Sequence, residues 1–256
     1  MNRGITLSGH EAAVQKVLAQ HGLLRIAHRG ASATAPENTM HAFRQAIADG
    51  ADMIELDVRL SKDGSLVILH DEYLNRTTSG CGLVCETHVD EIRRLDAGSW
   101  FQPQFAGARV PTLEEVLSQF PDTCFNVELK TFPLHRCTEL VEGVLKAIAE
   151  AGAWARVLIS SFDHAALQTA RALSPDVLLG ALYCGRLWSP FALAEDLQLT
   201  SFHPDVASLE PLFIAEAQAR GYHVLTWTVR SLEMLEWSMM HQVDGVILDD
   251  VKLGMV

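Results

Sequence analysis

Long apolar runs are absent from this 256-residue chain, and basic side chains are few. No stretch approaches the roughly 18 consecutive apolar residues needed to cross a membrane, so no stable membrane insertion is expected. Lys and Arg together number 20, against 32 Asp and Glu, which gives a formal net charge of −12. Nucleic-acid binding depends on clustered cationic side chains, so this balance argues against a nucleic-acid partner. A small anionic substrate remains compatible with it, because a metal ion or a few cations can override the overall field.

Cysteine is also scarce, and the number and spacing of the cysteines argue against a disulfide framework and against a zinc site. The five cysteines are an odd number without a paired Cys-x-x-Cys array, so a disulfide framework is not expected. Cys81 and Cys85 have no second pair at zinc-finger spacing. Residues 1–22 lack the apolar core and small-residue cleavage site of a secretory signal. These features predict a cytoplasmic protein with reduced thiols.

Short β-type runs alternate with helical patterns along the chain. The predicted strands are 24–27, 53–58, 66–69, 124–129, 157–160, 178–182, 199–202, 223–227 and 245–248. The predicted helices are 9–21, 39–49, 112–119, 136–151, 163–173, 208–219 and 231–241. Most strands are apolar without alternation, which is typical of a parallel sheet covered by helices. Without a repeat or a low-complexity linker, residues 1–256 are predicted to form one domain.

The strand count exceeds that of an eight-stranded barrel by one. The link between 58 and 66 is too short for a parallel crossover, so these two strands are expected to form an antiparallel hairpin. Eight strands then remain for an α/β fold of the (β/α)8 TIM barrel type, with the hairpin arm as the ninth. Residues 71–111 are rich in turns and carry one short helical pattern near 88–95, so we interpret them as a small insertion over the C-terminal mouth.

Ionisable residues cluster at the ends of four of these strands. In α/β barrels, functional side chains come from the C-terminal ends of the strands and from the loops that follow. Seven candidate residues meet this condition: His28, Arg29, Glu55, Asp57, His70, Glu128 and Lys130. Each alone has a structural alternative, such as a hydrogen-bonded histidine or an ion pair on a sheet face. Their convergence at one end of the barrel favours a functional site.

The hairpin turn decides whether the second histidine joins the carboxylates. A two-residue turn, centred on Asp63-Gly64 or one residue earlier, would set His70 opposite Asp57 or Glu55. A three-residue turn would set it opposite Leu56 and remove it from the carboxylate face. We therefore expect a two-residue turn.

Three carboxylates at one barrel mouth repel each other and need a cation, since an uncompensated buried charge costs several kcal/mol. Oxygen-only ligands favour a hard ion, so Glu55, Asp57 and Glu128 predict one divalent cation, Mg²⁺ or Ca²⁺, with Mn²⁺ as an alternative. His28 and His70 are then free to act as one acid and one base near neutral pH.

Cationic and aromatic residues complete the predicted site. Arg29 and Lys130 supply the positive charge that holds a phosphate oxyanion. The aromatic residues Trp227, Phe162 and Trp188 are expected in the core or on a pocket wall, and Trp227 is included as a candidate substrate contact. The segment 37–39 is expected to start a helix with Asn38 as its cap.

In order and spacing, several motifs resemble the glycerophosphodiester phosphodiesterase family over about residues 24–249. They are "AHRGASATAPENTMHAF", "ADMIELDVRLSKDGSLVILHDEYLNRTTSGCG", "VPTLEEVL", "NVELK", "SSFD" and "TWTV". The resemblance implies a (β/α)8 barrel with a small insertion. It also implies hydrolysis of deacylated phospholipids, such as glycerophosphocholine or glycerophosphoethanolamine, to sn-glycerol 3-phosphate and an alcohol.

By the same resemblance, the three carboxylates are ligands of one cation, the two histidines are acid and base, and Arg29 and Lys130 contact phosphate. Which histidine acts first, and whether water or a glycerol hydroxyl attacks phosphorus, stay open. Two positions differ from the usual family pattern: Arg230 follows "TWTV" where Asn is common, and Leu248 precedes Asp249 where Thr is common. We expect them at the mouth, outside the metal–histidine core, with a bearing on headgroup preference. The helix at 9–21 precedes the usual barrel and is expected to cover its bottom.

Three other functions are considered. A lysophospholipase D or sphingomyelinase D-like phosphodiesterase would share this core and would need an apolar surface near the mouth, for which the segment 71–111 is a candidate. A retaining glycoside hydrolase needs two carboxylates about 5 Å apart and no metal, and the late strands end without a carboxylate. A binding barrel without chemistry is disfavoured by the presence of both histidines and all three carboxylates. The oligomeric state is not predicted.

Overall fold

The computed structural model describes residues 13–20 and 22–255, and within them helices and strands alternate. The strands are β1 (Leu24–Ala27), β2 (Met53–Leu60), β3 (Leu66–Ile68), β4 (Phe125–Leu129), β5 (Val157–Ser161), β6 (Leu178–Tyr183), β7 (Ser201–Pro204), β8 (His223–Val229) and β9 (Gly245–Leu248). The α-helices are α1 (Ala13–Leu18), α2 (Met40–Ala48), α3 (Val89–Ile92), α4 (Leu113–Gln119), α5 (Cys137–Glu150), α6 (His164–Leu173), α7 (Pro190–Leu197), α8 (Pro211–Ala219) and α9 (Leu232–Met240). Short 3-10 helices lie at Val84–Glu86, Pro103–Phe105, Leu134–Arg136, Trp154–Arg156 and Val206–Ser208.

Eight of the strands close into a parallel barrel. Strand β1 pairs with both β2 and β9, and the remaining strands follow in chain order from β4 to β9. Strand β3 pairs antiparallel with β2, forms one isolated bridge from Val67 to Thr112, and stands outside the ring. The predicted (β/α)8 barrel with a hairpin arm is therefore confirmed. Alternate side chains of each strand pack beneath the helices, as Leu56 and Val127 do, and leave the others inside the barrel.

Most predicted elements lie within two residues of the observed ones, and β1 and β9 have the expected bounds. The strand expected at 199–202 lies at Ser201–Pro204. Helix α7 has no counterpart among the predicted segments. Its signal was Pro190 at the first helical position, where the fixed proline φ suits a helix start and its missing N–H is not needed.

The described part of the N-terminal helix lies against the bottom of the barrel. Of the predicted range 9–21, residues 9–12 and 21 lie outside the described residues. Val14 and Leu18 of α1 are buried in one apolar cluster with Leu24 and Met53. The last two are the first residues of β1 and β2, so α1 packs at the end of the barrel opposite the site. No helix among the described residues is long and apolar enough to cross a membrane.

The segment 71–111 packs on the outer part of the hairpin arm. Val84 and Ile92 join Val67 of β3 in a small apolar cluster of their own. Trp100 and Phe101 contact each other edge to face, with ring centroids 5.6 Å apart. Val84 and Ile92 are thus buried and unavailable to lipid, whereas Trp100 remains 39% exposed.

The hairpin turn has three residues, so the prediction of a two-residue turn is wrong. Val58 lies opposite Ile68, and the main-chain N–H of Ser61 donates to the carbonyl of Ser65 at 2.9 Å. Gly64, with φ of +86°, supplies the left-handed residue of this longer turn. The reason is Asp63, whose carboxylate accepts hydrogen bonds from the hydroxyls of Ser61 and Ser65, both at 3.0 Å.

His70 nevertheless lies on the side of the carboxylates, so the expectation that a three-residue turn would remove it from them is also wrong. Strand β3 ends at Ile68, and the last ladder bond runs from Leu69 N–H to the Asp57 carbonyl at 2.9 Å. His70 lies beyond the ladder, where strand alternation no longer fixes the side of its ring. Its carbonyl accepts from Arg59 Nε at 2.9 Å and Nη2 at 2.5 Å, which fixes the main chain at this point.

We predict that Gly64→Ala lowers the free energy of unfolding by about 1–2 kcal/mol, because alanine pays the steric cost of the left-handed conformation. Gly64→Asn is the matched variant and should lose less, since Asn tolerates that conformation. Urea denaturation of both variants measures the difference. Equal stability of the Ala and Asn variants would contradict the observed turn.

Candidate active site

A cavity of about 290 Å³ opens at the C-terminal end of the barrel. Seven of the eight predicted site residues line it: His28, Arg29, Glu55, His70, Glu128, Lys130 and Trp227. The eighth, Asp57, is buried in contact with Arg29 and Lys130. A larger cleft of about 520 Å³ lies between α2, α4 and the insertion, but His41 is its one histidine and the carboxylate cluster is elsewhere. The chemistry therefore belongs to the smaller cavity.

The three carboxylates converge because two neighbouring strands carry them. Pairing of β2 with β4 sets Asp57 opposite Glu128, and Glu55 faces the same side two residues earlier. One oxygen from each of the three lies within 4.8 Å of the others, and all three side chains are buried. This is the spacing at which oxygens can share a single ion.

Asp57 is the best-compensated carboxylate of the three. Lys130 Nζ lies 3.1 Å from Asp57 Oδ1 and 2.5 Å from Glu128 Oε1. Arg29 Nε lies 3.3 Å from Asp57 Oδ2, which also accepts a hydrogen bond of 2.7 Å from Asn38 Nδ2. Burial opposes ionisation of Asp57, but Lys130 and Arg29 outweigh it and hold its pKa well below the usual range.

Glu55 and Glu128 lack this degree of compensation. Glu55 Oε2 accepts from the Arg29 N–H at 2.9 Å, while its buried Oε1 has no hydrogen-bond partner among the described residues. Burial, together with the charges of Asp57 and Glu128, raises the pKa of Glu55 well above its usual value. Burial also raises the pKa of Glu128 to about 7, although Lys130 opposes this. A donor set of carboxylate oxygens with one left unpaired fits a hard divalent cation.

Asn38 is a site residue that the sequence reasoning missed, and its predicted role as a helix cap is wrong. Thr39 caps α2 instead, with Oγ1 accepting from the Ala42 N–H at 3.3 Å. Asn38 adopts φ of +57° and bridges Asp57 twice, through Nδ2 and through Oδ1, which accepts from the Asp57 N–H at 3.3 Å. The adjacent threonine, which is also a favoured N-cap residue, was the signal that Asn38 could have another role.

Each histidine has its own aspartate. His28 Nδ1 lies 2.6 Å from Asp249 Oδ1, and His70 Nδ1 lies 2.7 Å from Asp71 Oδ1. Because a carboxylate accepts, Nδ1 of each neutral ring carries the proton, and Nε2 is left for proton exchange in the cavity. Burial lowers the pKa of His70, against the charge of Asp57. A neutral base at one histidine is thus available near neutral pH.

The two aspartates were not among the predicted site residues. Each follows directly on a motif element, Asp71 after His70 and Asp249 after the last strand, and this position was the signal. Leu248 lies outside the metal–histidine core as expected, although it is buried in an apolar cluster and not at the mouth. Arg230 was also expected outside that core, but it contacts the aspartate of His28. Asp249 bonds His28 directly, and Arg230 Nε donates to Asp249 Oδ2 at 2.7 Å.

Aromatic side chains form one wall of the cavity. Trp227 and Phe162 line it and meet edge to face, with centroids 5.3 Å apart. Trp227 Nε1 donates to the His203 carbonyl at 2.8 Å, which fixes the indole in place. Trp188 is 99% exposed, so its expected place in the core or on the wall is wrong.

Comparison with known proteins gives consistent results. The model of the "Glycerophosphoryl diester phosphodiesterase family" matches residues 28–253. A glycerophosphodiester phosphodiesterase of Caldanaerobacter subterraneus subsp. tengcongensis is 42% identical over 230 residues, covering 89% of this chain and 94% of that protein.

Two solved structures extend the similarity to three dimensions. An Oleispira antarctica phosphodiesterase in complex with the product sn-glycerol-3-phosphate has a TM-score of 0.82 and 32% identity, over 88% of this chain and 92% of that one. A glycerophosphodiester phosphodiesterase of Agrobacterium tumefaciens has a TM-score of 0.78 and 29% identity, over 90% and 97%. The chain belongs to the glycerophosphoryl diester phosphodiesterase family.

Proposed function

We propose that this chain is an enzyme that hydrolyses glycerophosphodiesters, such as glycerophosphocholine or glycerophosphoethanolamine, to sn-glycerol 3-phosphate and an alcohol. The observation that carries the proposal is the pairing of two aspartate-held histidines with three converging carboxylates around one cavity. Membership of the family supports the reaction class. The Oleispira antarctica structure, with bound sn-glycerol-3-phosphate, supports the product.

The charges at the cavity floor support dependence on a divalent cation. Three carboxylates face two cationic side chains, Arg29 and Lys130, which leaves one negative charge when all three carboxylates are ionised, as they would be around a cation. A divalent cation and a phosphodiester monoanion together would bring this group to neutrality. Glu55, Asp57 and Glu128 would hold the cation, which when bound would neutralise a phosphoryl oxygen as a Lewis acid. Mg²⁺ and Ca²⁺ are the ions we propose, with Mn²⁺ as an alternative.

The histidines would divide the proton transfers. In hydrolysis a bond forms between phosphorus and the attacking oxygen, and the bond from phosphorus to the departing alcohol oxygen breaks. One histidine Nε2 would take the proton of the attacking hydroxyl, and the other would donate a proton to the leaving alkoxide. Arg29 and Lys130 would hold the phosphate oxygens in line. The nucleophile would be water, or a glycerol hydroxyl whose cyclic phosphate product water would then open to glycerol 3-phosphate.

We also propose a cytoplasmic location. All five cysteines lie in the described part of the chain and are unpaired. Unpaired thiols, two of them exposed at Cys81 and Cys184, suit a reducing compartment.

Metal removal tests the first half of the proposal. After exhaustive dialysis against EDTA, release of glycerol 3-phosphate from glycerophosphocholine should fall at least about 100-fold, because the carboxylate cluster then opposes binding of an anionic substrate. Adding Mg²⁺, Ca²⁺ or Mn²⁺ should restore activity and raise the melting temperature of wild type, but not of Glu128→Gln. Full activity in protein shown by elemental analysis to be metal-free would refute metal dependence.

Histidine substitution tests the second half. His28→Ala and His70→Ala should each lower kcat about 10²- to 10⁴-fold, because each removes one proton-transfer group. The matched control is His223→Ala, which removes a histidine lying 3.5 Å from Asp244 at the start of β8, at the opposite end of the barrel. It should keep kcat within about twofold of wild type. Near-normal kcat in either of the first two variants would contradict the assigned roles.

A further inference from the structure

Two charged residues outside the roles described so far connect the phosphate-binding arginine to the second histidine. Glu37 lies on the loop between β1 and α2, and Arg76 lies in the insertion. Arg29 Nη1 donates to Glu37 Oε1 at 2.8 Å, and Arg76 donates to both Glu37 oxygens, at 2.7 and 2.8 Å. The contacts therefore run from Arg29 through Glu37 to Arg76 without a break.

Arg76 also holds the aspartate of His70 with two hydrogen bonds. Its Nε donates to Asp71 Oδ2 at 2.6 Å and its Nη2 donates to Asp71 Oδ1 at 2.9 Å. One guanidinium thus engages two carboxylates in the fork geometry that lysine cannot reproduce. Hydrogen bonds from Arg76 hold the pKa of Asp71 well below its usual value, so Asp71 stays a carboxylate that accepts from His70.

Burial indicates that these contacts are more than a surface ion pair. The Glu37 side chain is only 12% exposed, and both of its oxygens accept from arginine. Exposed ion pairs contribute little to stability, whereas a bidentate network around a largely buried carboxylate holds its geometry, even though Arg76 itself is 43% exposed. By contrast, Arg230 reaches the aspartate of His28 through Nε and is 62% exposed. Asp249 also accepts a hydrogen bond of 3.3 Å from Ser32 Oγ, so the aspartates of the two histidines are held by different sets of donors.

The main chain leaves the ring of His70 dependent on this network. Arg59 fixes the His70 carbonyl, but β3 has ended and no ladder bond sets the direction of the side chain. The ring contact given by the structure is Nδ1 to Asp71 Oδ1, at 2.7 Å. Whatever orients Asp71 consequently orients the imidazole.

We propose that Glu37 and Arg76 are positioning residues for the reaction: Arg76 sets the Asp71–His70 pair, and Glu37 ties that pair to Arg29. His70 and the phosphate-binding arginine are then placed as one unit, across the junction between barrel and insertion. The inference rests on the proposed function for its kinetic readout, but the contacts can also be tested without turnover.

The kinetic test uses conservative variants of the full chain on glycerophosphocholine. Arg76→Lys keeps the positive charge but loses the bidentate hydrogen bonds to Glu37 and Asp71. The kcat should therefore fall about 10- to 100-fold while KM stays within about threefold. Glu37→Gln removes the charge shared by both arginines, so kcat should fall and KM should rise, because Arg29 also loses its partner. Arg186→Gln is the matched control, since Arg186 binds Glu210 in an exposed pair on the loops after β6 and β7. It should leave both constants within about twofold.

A second test asks whether Arg76 acts through His70. In a His70→Ala background, adding Arg76→Lys should cost less than about twofold in residual kcat, because the group that it positions is gone. A loss as large as in wild type would overturn the proposal and assign Arg76 a general structural role.

Nitrogen NMR of the histidine rings supplies a readout independent of turnover. At pH 8 the His70 ring of wild type should carry its proton on Nδ1, and Arg76→Lys and Glu37→Gln should increase the Nε2-protonated tautomer. An unchanged His70 signature in both variants would overturn the proposal even if activity fell. Failure of the wild-type enzyme to cleave any glycerophosphodiester would instead refute the proposed function, and the tautomer shift would still test the positioning.

Discussion

Confinement of three carboxylates on two adjacent strands is the constraint on which the rest of the site depends. The pairing of β2 with β4 brings Asp57 beside Glu128, and Glu55 follows from strand alternation. Burial makes this negative charge costly, and the fold supplies Lys130, Arg29 and the amide of Asn38 to offset it. These groups satisfy Asp57 more fully than the two glutamates. The two glutamates therefore still need a cation to offset their charge.

The histidines reach this cluster from two segments that lie along the same edge of β2, whose other edge pairs with β4. His28 follows β1, and His70 follows the hairpin arm that replaces β1 as the neighbour of the outer half of β2. Both rings are held at Nδ1 by an aspartate, but from different parts of the chain. The insertion that follows His70 brings Arg76 to the mouth, so it contributes to the site's geometry as well as covering the hairpin arm.

Hydrophobic pattern and strand-end position were enough to predict the barrel and to expect the candidate residues at one end of it, where seven of the eight line one cavity. Both signals are repeated many times along the chain, so a single error, such as the missed helix α7, did not change the predicted fold. The predicted hairpin register was wrong because Asp63 stabilises a three-residue turn by accepting hydrogen bonds from two serine hydroxyls. Strand alternation carries no information about such contacts. His70 still lies on the side of the carboxylates, because β3 ends before it and strand alternation no longer fixes its side. Contacts between distant segments, such as Asn38 with Asp57, were beyond any local pattern.

The central claim is that the three carboxylates share one divalent cation. A crystal of this protein soaked in Mn²⁺ and measured at the manganese absorption edge tests it most directly. The account predicts one strong anomalous peak at the cavity floor, bonded to at least one oxygen from each of Glu55, Asp57 and Glu128. No peak there at saturating Mn²⁺, or a peak ligated by the histidines without the carboxylates, would contradict it.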